Sequence, residues 1–166
     1  MALNAYLKLK GQKQGEIKGS VTQKGRENKI MVIAVSHEVL SPRDSASGLP
    51  TGKRQHKPFV ITKEVDKSSP LLYNALINNE NIIEWELQFW TPQIRAGGVG
   101  AERQHYTVKL TNANIASIDF RMLNNKNPEL VKYAEYEEIA FSYQKITWTW
   151  VDGGITAEDD WESPIV

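Results

Sequence analysis

Three histidines, His37, His56 and His105, are the first side chains to weigh, because imidazole serves both as metal ligand and as acid–base group near neutral pH. None lies four residues from another, and none sits beside a carboxylate at the spacing of a zinc-protease helix. Solvated or hydrogen-bonded strand and loop histidines are the simpler reading. Glu84 and Glu86 are two residues apart and so share one strand face. Glycoside hydrolysis would need a further carboxylate across a cleft, and a wet strand face accounts for the pair without one. Gly97-Gly98-Val99-Gly100 lacks the Gly-Lys-Ser/Thr that completes a phosphate loop, and Thr51-Gly52-Lys53 follows no strand-to-helix transition. No Gly-x-Ser-x-Gly elbow is present. Glu158-Asp159-Asp160 with Glu162 could attract a cation, but the alternating oxygen ligands and turn glycine of a calcium loop are missing. This segment reads as a charged, solvated tail. Trp161 within it is a large aromatic expected to dock on the body of the protein. The basic run Lys53-Arg54-Gln55-His56-Lys57 lacks the interleaved aromatics of a single-strand binder, so a protein neighbour is its better partner. These residues imply no catalytic group, no cofactor and no metal.

Composition narrows the classes further. The chain has 166 residues, 20 basic and 20 acidic side chains, and a formal net charge of +0. A dedicated nucleic-acid binder would carry a basic excess. Near-zero charge gives little repulsion between copies and suits self-association. With no cysteine, disulfides, thiol catalysis and cysteine-ligated zinc are excluded. The start, Met1 to Lys8, has no basic segment followed by a long apolar run, and no stretch approaches the ~18 apolar residues of a membrane span. A cytoplasmic folding site and no membrane insertion are therefore expected, and any exit from the cell is expected to use a route that needs no cleaved signal peptide.

The elements that must position these residues are mostly strands. Leu3, Ala5, Leu7 and Leu9 alternate with other residues, as do Ile83, Trp85, Leu87 and Phe89, then Tyr106, Val108 and Leu110, then Ala116, Ile118, Phe120 and Met122. Ile30 to Val35 is continuously apolar and predicts a strand covered on both faces. Ile139, Phe141 and Tyr143 hold odd positions, whereas Ile146, Trp148 and Trp150 hold even ones, which predicts a β-bulge near Gln144-Lys145. One helix is predicted over about residues 70–78. Ser69 reads as its N-cap, Pro70 as its first residue, and Leu71, Leu72, Ala75 and Leu76 as its apolar face, with Asn78-Asn79 as the stop. Residues 41–58, rich in Ser, Pro, Gly and basic residues, predict a long mobile loop of functional use. Ala96 to Gly100 reads as a hairpin connection. The sum is a single mainly β domain: a small, closed or nearly closed antiparallel β-barrel with one flanking helix and a long extended loop. Strand edges left open by such a fold must find partners, and identical copies joined head to tail would make a ring.

Thr51-Gly52-Lys53-Arg54-Gln55-His56-Lys57-Pro58-Phe59, followed by Asp66-Lys67-Ser68-Ser69-Pro70-Leu71-Leu72-Tyr73-Asn74-Ala75-Leu76, resembles the haemolysin-coregulated proteins, Hcp, of the bacterial type VI secretion system. Tyr6-Leu7-Lys8-Leu9 with Gly11-Gln12 and Gly15-Glu16-Ile17 is similar to their first hairpin, and Tyr143 to Trp148 to their last strand. Asp159-Asp160-Trp161, with Pro164 close behind, is similar to one branch of the family. The resemblance implies a small β-barrel with one helix, assembled into homohexameric rings that stack as a tube. It implies a surrounding sheath, a spike and a baseplate as partners, expulsion on contraction, and small effectors in the lumen. It implies no catalytic residues; certain family members carry a fused toxin domain after the barrel, and none is expected here because the chain ends soon after its last predicted strand. In that frame Ser41, Pro42, Thr51, Gly52, Lys53, Arg54, His56 and Lys57 are expected to bridge to a neighbouring ring. An effector-binding module and a small β-barrel hydrolase are the alternative readings.

Overall fold

The computed structural model describes residues 3–94 and 100–162. In chain order the elements are β1 (Ala5–Gly11), β2 (Gly15–Ile17), β3 (Ile30–Val32), β4 (Ala34–Ser36), β5 (Val39–Leu40), β6 (Gln55–His56), β7 (Phe59–Glu64), α1 (Ser69–Ile77), β8 (Ile82–Ile94), β9 (Gly100–Thr111), β10 (Asn114–Arg121), β11 (Tyr136–Ser142), β12 (Lys145–Trp150) and β13 (Ile155–Asp160). The larger sheet runs β13-β12-β9-β8-β1-β2, with β3 also paired to β1; the smaller runs β10-β11-β7-β4. All their pairings are antiparallel. The two sheets face each other as a nearly closed barrel, as the strand periodicity predicts.

The core follows the alternation. Leu7, Leu9, Ile30, Val32, Trp85, Leu87, Val108, Leu110 and Ile146 come from the larger sheet; Phe59, Ile61, Ile139, Phe141 and Ile115 come from the smaller. Helix α1 lies against β10 and buries Leu72 and Ala75. It ends at Asn78, and Asn79 adopts φ 48°, so the amide of Glu80 can close on the Ala75 carbonyl at 2.9 Å.

Several expectations are corrected, each for a reason the pairing of strands supplies. The apolar run at residues 30–35 is not one strand covered on both faces. The chain changes sheets at Ile33: β3 pairs with β1, β4 pairs with β7, and Ala34, Val35 and Ser36 are all exposed. The phase change near Gln144 is not a bulge within one strand but a second change of sheet, from β11 to β12. On β8, Ile82 is buried and Ile83 exposed, because Lys10 opposes Glu84 while Gly11 opposes Ile82. A shift between Ile115 and Ser117 likewise turns Ala116 outward, and Phe120 and Met122 stay 52% and 62% exposed. The acidic segment is not a solvated tail: β13 pairs with β12 from Lys145 opposite Asp160 to Trp150 opposite Ile155. The helix begins one residue earlier than expected. Ser68 occupies the cap position, Ser69 the first turn, and Pro70 follows it. The connection at residues 96–99 and Pro164 lie outside the described residues.

Two buried polar groups, neither evident from local spacing, fix the helix and the first hairpin. Lys63 on β7 is 0% exposed, and its ammonium lies 3.1 Å from both Asp66 and Glu137 and 3.0 Å from the Ser69 hydroxyl. Ser69 in turn donates to Glu137 at 3.1 Å. This explains why Ser69 does not cap: its oxygen is needed under the helix. Glu80 accepts from the amides of Lys13, at 2.5 Å, and Gln14, at 2.7 Å, and from the Gln14 side chain at 2.6 Å. A methyl group at Gly11 would lie 3.0 Å from that carboxylate, which would have to give by a few tenths of an ångström to admit it.

Removing one member of a buried ion network leaves the others unpaired, at about 3–5 kcal/mol. Lys63→Met is therefore expected to lose that much stability in urea unfolding. Lys63→Met combined with Glu137→Leu and Asp66→Asn is expected to recover most of it.

Candidate functional site

The segment between β4 and β7 decides what this chain can contact. It is an arm rather than a mobile loop. Val39 pairs with His56 and Leu40 with Gln55, and the Lys57 amide donates to the Glu38 carbonyl at 3.0 Å. Further out, Thr51 donates to the Pro42 carbonyl at 3.0 Å and Arg43 bridges to Pro50. The tip is a turn built on Asp44, whose carboxylate accepts from the Ser47 amide at 2.7 Å, with Gly48 at φ 71° where other residues would be strained.

Polar contacts pin the base of the arm to the last hairpin. Arg54 grips Asp159 bidentately, through Nε and through Nη2 at 2.7 Å, and Nη2 also donates to the Asp160 carbonyl at 2.9 Å. The His56 side chain is 3% exposed. Its Nε2 lies 2.7 Å from Asp159 Oδ2, and its Nδ1 lies 2.8 Å from the Tyr143 hydroxyl. That hydroxyl is also 2.7 Å from His37 Nε2. The ionised carboxylate can only accept, so His56 Nε2 donates. In neutral His56, Nδ1 then accepts the Tyr143 proton, and the Tyr143 oxygen accepts from His37. The hydrogen bonds from Arg54 hold the Asp159 carboxyl below its usual range. Burial pushes the Tyr143 phenol up, with the Asp159 charge adding to it. Burial and then neighbouring His56 push His37 down.

A carboxylate, an imidazole and a hydroxyl in sequence have the outline of a catalytic relay. Here the hydroxyl is spent between two imidazoles, and Tyr143 is itself buried. The arrangement is a clamp.

Of the residues expected on the outward loop, Arg54 and His56 therefore turn inward. Ser41, Thr51, Gly52, Lys53 and Lys57 are exposed and Pro42 is half-buried. Trp161 lies beside the arm base: its indole N–H donates to the Tyr143 carbonyl, and its backbone amide donates to Gln144 at 3.3 Å. The residue remains 41% exposed and forms one wall of a shallow groove with Pro42 and residues 51–56. His37, Tyr143 and Asp159 were not recognisable as partners, because they lie 87 to 106 residues from the groups they bind. Their only signals in the chain are an aromatic at a phase change and an acid beside a tryptophan.

A family model described as type VI secretion system effector, Hcp, matches residues 6–150. The chain is also 40% identical to the major exported protein of Pseudomonas aeruginosa, over 99% of both chains. It belongs to the Hcp family. A crystal structure titled Hcp protein superposes with a TM-score of 0.85 at 32% identity, covering 97% of this chain and 99% of that one. Secreted protein Hcp3 from Pseudomonas aeruginosa superposes at 0.75 with 33% identity, covering 98% and 100%. The Hcp match ends at Trp150, so β13, Asp159 and Trp161 lie beyond it, although the curated relative and both solved structures align over nearly the whole chain.

Two outcomes follow from this geometry. Trp161→Ala removes one hydrogen bond and a half-buried ring, an expected loss of about 1–2 kcal/mol read as a lower Tm. Asp159 is held below its ordinary value of 3.8, so its contribution is present above that pH and lost as pH falls through the lowered value. Asp159→Asn is expected to flatten the acid limb of the stability curve in this range.

Proposed function

We propose that this Hcp-family chain is a structural subunit of the type VI secretion tube. Copies join head to tail into six-membered rings, the rings stack, and the column is expelled when a sheath contracts, with small effectors held in the lumen. The family membership supports the coarse reading. The exported and secreted relatives support expulsion, and the count of six rests on the family resemblance.

The observation that carries the reading is the pair of unlike edges on the smaller sheet. Its order, β10-β11-β7-β4, leaves β10, against which α1 packs, and β4 each without a second strand neighbour among the described residues. Beside β10, Phe120 and Met122 stand exposed; beside β4, Ile33 and Val35 do. Open edges with apolar side chains invite pairing with another chain. Joining two different edges is a heterologous contact, which closes as a ring when each step rotates. The arm extends from the end of β4 and carries Leu49, Lys53 and Lys57 outward, which suits a contact with an adjacent ring.

Light scattering after gel filtration tests the first part. The wild type is expected near six times 18.8 kDa, and Phe120→Asp is expected to shift the mass to that of a monomer with unchanged circular dichroism. A wild-type monomer at every concentration would count against ring formation by this surface. The stacking role is tested by shortening only the arm tip, Ser45–Leu49, which spares Arg54 and His56. Rings should persist while tubes become scarce in electron micrographs; tubes of normal length would remove the arm from stacking.

A further inference from the structure

We infer that the clamp at the base of the arm is a proton-counting device. It holds the arm while His37 and His56 carry at most one proton between them beyond the neutral state, and it releases the arm when both are charged. The inference concerns the single chain and stands whether or not rings stack.

The hydrogen-bond arithmetic carries it. Tyr143 has one proton to donate and sits 2.7 Å from His37 Nε2 and 2.8 Å from His56 Nδ1. With both imidazoles neutral, donation runs one way: His37 to Tyr143, Tyr143 to His56, His56 to Asp159. Adding one proton to His56 reverses the middle. His56 Nδ1 now donates to the Tyr143 oxygen, and Tyr143 donates to a His37 that has switched tautomer. Each hydrogen bond from His37 to Asp159 is kept, and Asp159, 2.7 Å from His56 Nε2, balances the charge. A second proton breaks the scheme. Two N–H groups then converge on the Tyr143 oxygen, its own proton has no acceptor among the described residues, and two imidazolium rings are separated by no more than two hydrogen bonds.

The surrounding charges do not absorb that second proton. On the arm, Arg54 adds a positive charge against Asp159. Glu38 and Lys57 flank the two histidines but are exposed. On the hairpin, the Asp160 carboxylate accepts from the Gln144 side chain at 3.1 Å, and Glu158 is paired with Lys145 at 2.9 Å. On the core side, His37 packs against the Phe59 ring, 4.9 Å between centroids, which offers no acceptor. Burial, then the neighbouring His56, lowers the affinity of His37 for a proton. The sign follows: a histidine whose folded-state pKa is depressed favours the closed form at high pH, and that preference fades as pH falls below the unfolded value near 6.5. At pH 5 Asp159 is still ionised, because Arg54 holds its carboxyl below 3.8.

Hydrogen–deuterium exchange at pH 7.5 and pH 5.0, corrected for the intrinsic pH dependence of amide exchange, tests the inference on the full chain. Protection of residues 39–56 is expected to fall at least tenfold at pH 5.0, while residues 59–64 of β7 stay protected. His37→Gln supplies an uncharged donor and acceptor beside Tyr143, so its arm protection should change less than twofold between the two pH values. Unchanged arm protection in the wild type would overturn the inference, as would an equal fall in His37→Gln. Should that variant fail to fold, imidazole nitrogen spectra of the wild type decide. Two separated titration steps for His37 and His56, with arm amide signals shifting only at the second, support the device. Simultaneous, independent titration of the two rings sinks it.

Discussion

Trp85 holds the two sheets together. It projects from β8 in the larger sheet and is met edge-on by Phe59 of β7, at 5.0 Å between centroids, and by Phe141 of β11, at 5.5 Å. All three are buried. Its indole N–H has no acceptor among the described residues. The geometry of the arm hangs on the same cluster. Phe59 stacks on His37, His37 bonds Tyr143, and Tyr143 lies two residues past Phe141 on the turn between sheets. A shift in the inter-sheet packing would therefore move the arm base, because the two share residues.

A barrel made from two sheets must pass its chain from one to the other, and each crossing leaves backbone groups that neither sheet satisfies. At Ile33 the amide is taken up by the Thr62 carbonyl at 2.9 Å, so one residue suffices for the turn. At Tyr143-Gln144 the solution differs. Gln144 donates its amide to Thr111 at 3.1 Å, while its own carbonyl and that of Tyr143 accept from the backbone and indole of Trp161. Trp161 thus caps a sheet corner. This gives a physical reason for a tryptophan to sit in an otherwise acidic segment while still half exposed: its polar edge is used, not its full area.

The parts of the fold written as period-two alternation were legible, since buried side chains repeat locally and the sheets simply enlarge that pattern. The helix was legible from Ser-Pro, from Leu72 and Ala75, and from Asn78-Asn79. What local pattern could not supply was anything settled by partners far along the chain. Ile82 replaced Ile83 in the core because Gly11, some seventy residues earlier, shifts the register. Ser69 looked like a cap, and its hydroxyl was instead claimed by Lys63 and Glu137. Arg54 and His56 looked like outward basic residues until β13 brought Asp159 beneath them. In each case the residue type is local information and its direction is not, because direction depends on a group 68 to 105 residues away.

The chemistry of the arm's anchor has a consequence for how the arm can move. Apolar anchors resist opening because every opened state exposes hydrocarbon to water. The clamp here is made of a guanidinium, two imidazoles, a phenol and a carboxylate, all of which water can solvate in turn. Opening it exchanges protein hydrogen bonds for solvent ones at small net cost, while the Trp85 cluster beneath stays dry. The outer residues of the arm, Leu49 and Lys53 among them, contribute little to the stability of the single chain. A segment built this way can change its angle without threatening the barrel. The core and the arm base meet at Phe59 and Tyr143, and beyond that junction the arm is held by polar groups alone, so its exposed tip is the part least tied to the barrel.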